Sequence, residues 1–227
     1  MAILDEKVKK QVKEEFKKLK EPVKLIVFSQ EVECAYCKET RELLSELAEL
    51  GELILLEVYD FEKAKEKVER YKIERIPAIV VLAGEEDFGF RYYGVPSGYE
   101  FSTLLNVIIM ASKRESGLNL KVKEELKKIQ NQLELKIFVI PTCPHCPKAA
   151  ISASRFAFEN RNLKVSIIEA SEYPYLAQRY GVMGTPKVVI NEMMGFEGAL
   201  PEPLFIQHLL HAQEHLLEKP GMPVGRA

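Results

Sequence analysis

The chain has 227 residues, 47% of them hydrophobic, and its 32 basic and 34 acidic side chains leave a net charge of −2. That is enough apolar material for one large domain or two ordinary ones, and the balanced charge offers no basic stripe for nucleic acid or anionic lipid. No apolar run approaches the ~18 residues that a membrane span requires, the amino terminus turns charged after four residues, and all four cysteines fall in two short motifs, so a cytoplasmic protein with no nucleic-acid or membrane partner is expected.

In chain order, a Lys/Glu-rich amphipathic helix over about residues 5–19 leads to an apolar run, Leu25 to Phe28, short enough to be a buried strand. Cys34-Ala-Tyr-Cys37 then opens a helix with Leu43, Leu44, Leu47 and Leu50 on one face, and Gly51 stands just past its end. A strand from Leu53 to Val58, a helix ending near Arg70-Tyr71, and a strand from Ala78 to Leu82 follow. A hairpin partner and a closing helix complete the set.

The same order then repeats, with a helix over 120–130, strands at Ile137 to Ile140, Val165 to Ile168 and Lys187 to Ile190, and a closing helix. Cys143-Pro-His-Cys146 opens the corresponding helix, with Pro147 in its first turn, where a missing N–H costs nothing. Cys34 and Cys143, Cys37 and Cys146, Arg70-Tyr71 and Arg179-Tyr180, and Pro77 and Pro186 all match at an offset of 109. Val12 to Leu19 matches Val122 to Ile129 at 110, while Gly94 and Gly198, and Phe101 and Phe205, match at 104, so the second hairpin is five residues shorter. The order implies an α/β fold of two modules, each a mixed central sheet with helices on both faces. The polar stretch Ser112 to Gly117 puts the boundary near residue 116, giving modules 1–116 and 117–227 that pack together. The tail from Pro220 to Ala227, rich in Pro and Gly, is expected to be frayed.

Each Cys-x-x-C pair is a dithiol able to close into a disulfide. A helix amino terminus stabilises the thiolate of the first cysteine, so Cys34 and Cys143 are expected to attack and Cys37 and Cys146 to resolve the mixed disulfide. The intervening residues tune the sites differently. Pro144 stiffens the second turn, and His145, when protonated, lends positive charge there beside Lys148. Tyr36 lies in a first motif flanked by Glu31, Glu33 and Glu39, so the second site is expected to be the more oxidising. Each first cysteine precedes a proline by 43 residues. A cis bond before Pro77 or Pro186 would turn the backbone of Ile76 or Thr185 toward the attacking sulfur, where an extended substrate peptide can add as a strand.

The Cys-x-x-C helix with a downstream proline opening a strand resembles the thioredoxin fold, and two complete copies in one chain resemble the protein disulfide oxidoreductases of thermophiles. The Lys/Glu-rich composition leans the same way. The first motif is similar to that of glutaredoxins, with Ala35 where Pro is usual, and the second to that of strong periplasmic thiol oxidants and, through His145, of disulfide isomerases. The resemblance implies cis Pro77 and Pro186, with Gly94 and Gly198 flanking the substrate groove. It also implies dithiol–disulfide exchange with protein substrates, no cofactor beyond the redox-active disulfides, and recycling by a flavin-dependent thioredoxin reductase. Two departures stand out: Val27 and Ile137 occupy the place of thioredoxin's buried aspartate, and Glu33 and Thr142 that of its tryptophan.

Three other readings remain. Four thiolates from the two pairs could bind zinc or an iron–sulfur cluster, although Cys37 and Cys143 are 106 residues apart and each pair has its own module. The chain could also be a tandem docking domain like the amino-terminal region of the flavoprotein that serves alkyl hydroperoxide reductase, an arrangement that usually keeps only one active pair. Inert buried cysteines would leave the repeated Cys-to-Pro spacing unexplained. On the closing helix, His208, His211 and His215 with Glu214 form either a metal-binding row or a packing seam, and the Arg-Tyr pairs read as packing residues.

Overall fold

The computed structural model describes residues 3–218, so the proline- and glycine-rich tail lies outside the described residues. Helix α1 (Glu6–Phe16) and its counterpart α5 (Leu120–Leu126) start on matching caps. Asp5 accepts from Val8 N–H at 2.8 Å, and Asn119 accepts from Val122 N–H at 3.0 Å. Both helices end before the apolar pattern does. Their last turn tightens to i→i−3 bonds, Leu19 N–H to Phe16 O and Ile129 N–H to Leu126 O, each 3.1 Å, which keeps Leu19 and Ile129 in the core.

The first half continues with β1 (Val23–Ser29), α2 (Cys37–Glu49), β2 (Ile54–Asp60), α3 (Lys65–Tyr71), β3 (Ala78–Ala83), β4 (Glu86–Tyr93) and α4 (Glu100–Lys113). The second half has β5 (Leu133–Val139), α6 (Cys146–Glu159), β6 (Leu163–Glu169), α7 (Pro174–Arg179), β7 (Lys187–Ile190), β8 (Met194–Glu197) and α8 (Glu202–Glu218). Leu43, Leu44 and Leu47 are buried as the spacing of α2 requires. Gly51 plays a different part from the one its position suggested. Its φ is not left-handed, and a Cβ there would lie 2.7 Å from the Phe16 ring, so close packing of α1 excludes a side chain.

The two four-stranded units join into one eight-stranded sheet, β2-β1-β3-β4-β6-β5-β7-β8. The seam is a parallel pairing of Phe90 through Tyr93 with Val165 through Ile168. The five extra residues of the first half lie largely in β4, eight residues long against four in β8. They lengthen a strand that must pair on both edges, whereas β8 pairs only with β7 among the described residues.

Alternation along the strands divides the core between the two faces. Leu25, Val27, Ile79, Val81, Leu135 and Ile137 join one cluster, which includes residues of α1, α2, α4, α5, α6 and α8. Ile26, Phe28, Val80, Phe138 and Val189 face the other way, toward Tyr71 of α3 and Leu176 of α7. The paired Arg-Tyr residues pack on this second face. Tyr71 meets Phe28 edge-on at 6.1 Å and Tyr180 lies 5.4 Å from Phe138, each under its neighbouring arginine. Among the described residues no helix is long and apolar enough to cross a membrane.

Candidate active sites

Strands β1, β2, β4, β6 and β5 all run the same way, so their carboxyl ends share one edge of the sheet. Both cysteine motifs and both prolines lie along that edge. The pairs Cys34–Cys37 and Cys143–Cys146 are closed as disulfides, with Cα separations of 5.4 and 5.5 Å. The helices begin on the second cysteine of each motif: Cys37 follows the N-cap Tyr36 and Cys146 follows the N-cap His145. Cys37 and Cys146 are fully buried, Cys143 is 7% exposed, and Cys34 is half-buried.

Backbone N–H groups point at sulfur in both sites. Cys146 N–H lies 3.1 Å from Cys143 Sγ, the expected nucleophile, whereas in the first site Gln30 N–H points at Cys37 Sγ, 3.4 Å away. Tyr36, Pro144, His145 and Lys148 are exposed beside the disulfides. The acidic surround of the first site is partly neutralised by a residue that the motif comparison passed over. Arg41, one turn past Cys37, holds Glu31 at 2.9 Å and donates to Ser29 Oγ and Gln30 O at 3.2 and 3.4 Å. Ala150 stands at the matching place in the second half. An arginine four residues past a helix-opening cysteine was the available signal.

The Ile76-Pro77 and Thr185-Pro186 peptide bonds are cis. Thr185 O lies 3.5 Å from Cys143 Sγ. Gly94 N–H donates to Pro77 O at 3.0 Å and Gly198 N–H to Pro186 O at 2.8 Å. Their surroundings differ. Nothing lies within 4 Å of a Cβ built on Gly198, while one on Gly94 meets Glu169 and Glu172 of the second half at 2.8 and 2.9 Å.

The modules also touch at the second site, where Tyr99 N–H donates to Pro141 O at 2.9 Å, two residues before Cys143. Gly98, at φ +57°, comes so close that a Cβ would lie 2.3 Å from that carbonyl oxygen. Because backbone meets backbone there, Gly98→Ala should destabilise the chain by about 2 kcal/mol or more. Alkylation of reduced Cys143 should change while that of Cys34 holds, as checked by denaturant melts and by mass spectrometry of the labelled cysteines.

Three carboxylates lie between the sites along the seam. Glu100, at the start of α4, is fully buried and neither of its oxygens has a hydrogen-bond partner among the described residues. Burial pushes its carboxyl up to about 7, opposed by the nearby Thr103 hydroxyl, which lies outside good hydrogen-bond geometry, and helped by the Glu169 charge. Glu169 is buried at the end of β6 and accepts from Ser171 and Glu172 N–H at 3.2 and 2.7 Å. Glu172 is likewise pushed up to about 7, chiefly by burial. The cysteine spacing pointed to none of the three, since only the pairing of β4 with β6 brings them together. Val27 and Ile137, at the place of thioredoxin's aspartate, are buried in the apolar core.

The four cysteines do not converge. From β1 to β5 the sheet takes four inter-strand steps, about 19 Å at ordinary spacing, and among the described residues no three His, Cys, Asp or Glu side chains are grouped to hold a metal ion. On α8 the histidine row divides: His208 packs on Phe196 at 4.7 Å, and His211 meets His215 with ring nitrogens 3.2 Å apart.

Comparison with known proteins agrees with this geometry. A thioredoxin-domain family model matches residues 133–211. Among curated relatives, an NADH dehydrogenase of Bacillus subtilis is 24% identical over 83% of this chain, and an alkyl hydroperoxide reductase component of Escherichia coli is 25% identical over the same share. In each case the chain spans only 34% of the relative's length. Among solved structures, the NTD_N/C domain of the alkyl hydroperoxide reductase AhpF from Enterococcus faecalis superimposes with a TM-score of 0.84 at 25% identity, covering 91% of this chain and 99% of that one. A protein disulfide oxidoreductase from Aeropyrum pernix superimposes with a TM-score of 0.87 at 31% identity, over 94% of this chain and 96% of that one. With two closed Cys-x-x-C pairs on a repeated thioredoxin frame and likeness of that extent, the chain belongs to the protein disulfide oxidoreductase family.

Proposed function

We propose that the protein exchanges dithiols and disulfides with protein substrates through two sites, one in each of two modules, 1–116 and 117–227. The observation that carries this reading is the same constellation built twice: a disulfide at a helix start and a cis-proline turn, both on one open edge of the sheet. In the reducing direction the thiolate of Cys34 or Cys143 attacks a substrate disulfide, expelling one substrate thiolate and forming a mixed disulfide. Cys37 or Cys146 then displaces the second substrate thiolate and closes the intramolecular bond. Oxidation of a substrate dithiol runs these steps backwards. Ile76 and Thr185 supply backbone for pairing with an extended peptide, and Gly94 and Gly198, each donating to the carbonyl of its proline, flank the substrate groove. The exposed side chains of Val32, Tyr36, Tyr99 and Met183 give that edge an apolar surface suited to unfolded substrate segments.

Electrons reach or leave the disulfides through a flavin-dependent reductase, the partner that the family resemblance implies. The match to the AhpF NTD_N/C domain favours a second reading, in which the chain passes electrons to a peroxide-reducing partner. Both pairs are intact here, which favours the first. The test is trapping in cell extract: Cys37→Ser and Cys146→Ser should each accumulate mixed disulfides with several proteins, resolved by non-reducing electrophoresis and identified by mass spectrometry. Absence of any covalent partner on either variant would refute the proposal, and a single peroxidase as the partner would select the second reading.

A further inference from the structure

The two halves repeat the same chemistry, yet the first site borrows a wall from the second half. Pro77 O, in the cis-proline turn, accepts from Gly94 N–H at 3.0 Å and also lies 3.4 Å from the buried Tyr173 hydroxyl. One residue beyond Gly94, Val95 N–H donates to Glu172 Oε1 at 2.8 Å. The other oxygen, Oε2, is buried against Gly94 with no hydrogen-bond partner among the described residues. Glu172 and Tyr173 lie between β6 and α7, so both come from across the seam.

The second site has no such cover. A Cβ on Gly198, the counterpart of Gly94, meets nothing within 4 Å, nor does one on Gly184, where the first half has Arg75. In the first site the Arg75 guanidinium lies 4.8 Å from the Tyr93 ring centre and pairs with Glu74 at 2.8 Å.

The geometry points to Glu172 and Tyr173 as positioning residues of the first dithiol, supplied by the second half. They fix the Pro77 turn and the end of β4, and they set an acidic group beside the site, so that Cys34 and Cys37 work in a groove that only the joined modules complete. This rests on the exchange activity proposed above. The groups facing Glu172 are Glu169 from the end of β6, Glu39 from the first turn of α2, Tyr92 from β4 and the adjoining Tyr173. None is a cation. Glu39 is two residues past Cys37, so the field of an ionised Glu172 reaches the helix start that favours the Cys34 thiolate.

Two full-length backgrounds test the assignment, one with Cys143→Ser and Cys146→Ser, the other with Cys34→Ser and Cys37→Ser. Iodoacetamide alkylation of the reduced proteins, followed from pH 5 to 9, reads the thiolate at the remaining site and needs no catalysis. Glu172→Gln keeps an acceptor for Val95 N–H and removes the charge. In the first-site background it should lower the apparent pKa of alkylation by about half a unit; in the second-site background it should change nothing.

Tyr173→Phe should raise the KM for insulin reduction, with dithiothreitol as reductant, about twofold to threefold at unchanged kcat, again only at the first site. An unaltered second site in the same substituted chain also shows that the chain has folded. Equal effects at both sites, or an unchanged alkylation profile with Glu172→Gln, would overturn the assignment. Absence of insulin reduction in both unsubstituted backgrounds would instead refute the exchange activity, leaving the alkylation result to decide about Glu172.

Discussion

Replacing Cys34 and Cys143 together by Ser should reduce protein dithiol–disulfide exchange by about three orders of magnitude or more, because a serine hydroxyl cannot form the mixed disulfide and what remains is binding without a nucleophile. Each single replacement should leave the other site working, since the sites are four inter-strand steps apart and each has its own resolving cysteine. The remaining activities should be unequal. At the second site a helix N–H points at Cys143 Sγ, the proposed nucleophile, and at the first the N–H of Gln30 points instead at Cys37 Sγ, the proposed resolving thiol. One hydrogen bond to a thiolate is worth about 1.4 kcal/mol, or about 30 mV for a two-electron couple.

Equilibration of the two single-site proteins with glutathione should therefore place the second pair about 30 mV higher. The reverse order would mean that Arg41, which holds Glu31 and has no counterpart at Ala150, favours the first thiolate more than that N–H favours the second.

Glu100→Gln should stabilise the protein by about 3 kcal/mol at pH 8 and leave stability near the wild-type value at pH 4.5. Burial raises the Glu100 carboxyl from 4.5 to about 7 in the folded chain, and every tenfold gain in proton affinity corresponds to about 1.4 kcal/mol. Between those two pH values the unfolded chain has released the proton and the folded chain still holds it. The folded state therefore binds more protons, and the wild type loses stability as pH rises from about 4.5 to about 7, beyond which the loss levels off.

Glutamine does not titrate, so the gap between the two proteins opens over that window. Guanidinium melts at pH 4.5, 6 and 8 measure it, and taking the difference between variants cancels the parallel titration of Glu172. A gap of equal size at every pH would mean that the Glu100 side chain destabilises by its fit and not by its charge.

Much of the fold was legible because it is local. A 3.6-residue spacing of Leu43, Leu44 and Leu47 buries one helical face whatever lies beyond it, and short apolar runs such as Leu25 to Phe28 can bury both faces of a strand. The repeat supplied the order of elements twice. Element ends were less legible, since α1 and α5 finish in tightened turns and β2 and β6 extend past the apolar runs. Gly51 does stand just past the end of α2, but the reason for a glycine there, the ring of Phe16, is 35 residues away in the chain. The five-residue difference near the end of each half is the shortened hairpin that the offsets imply, but it lies largely in the strand β4 and not in a loop, because the length of β4 serves the pairing with β6.

The sites divide in the same way. The sequence by itself determined the two cysteine pairs, their prolines at a common spacing and the frame that repeats them, because a dithiol and a turn are specified by residues close in the chain. Tertiary structure alone decided that the two frames share one sheet. That continuity gathers Glu100, Glu169 and Glu172 between the disulfides and sets Tyr173 against Pro77, while leaving Gly198 open where Gly94 is covered. The physical reason is the seam. Pairing of β4 with β6 is a long-range contact that no local pattern encodes, and it buries carboxylates that would otherwise be solvated, giving two sites of matching sequence different surroundings.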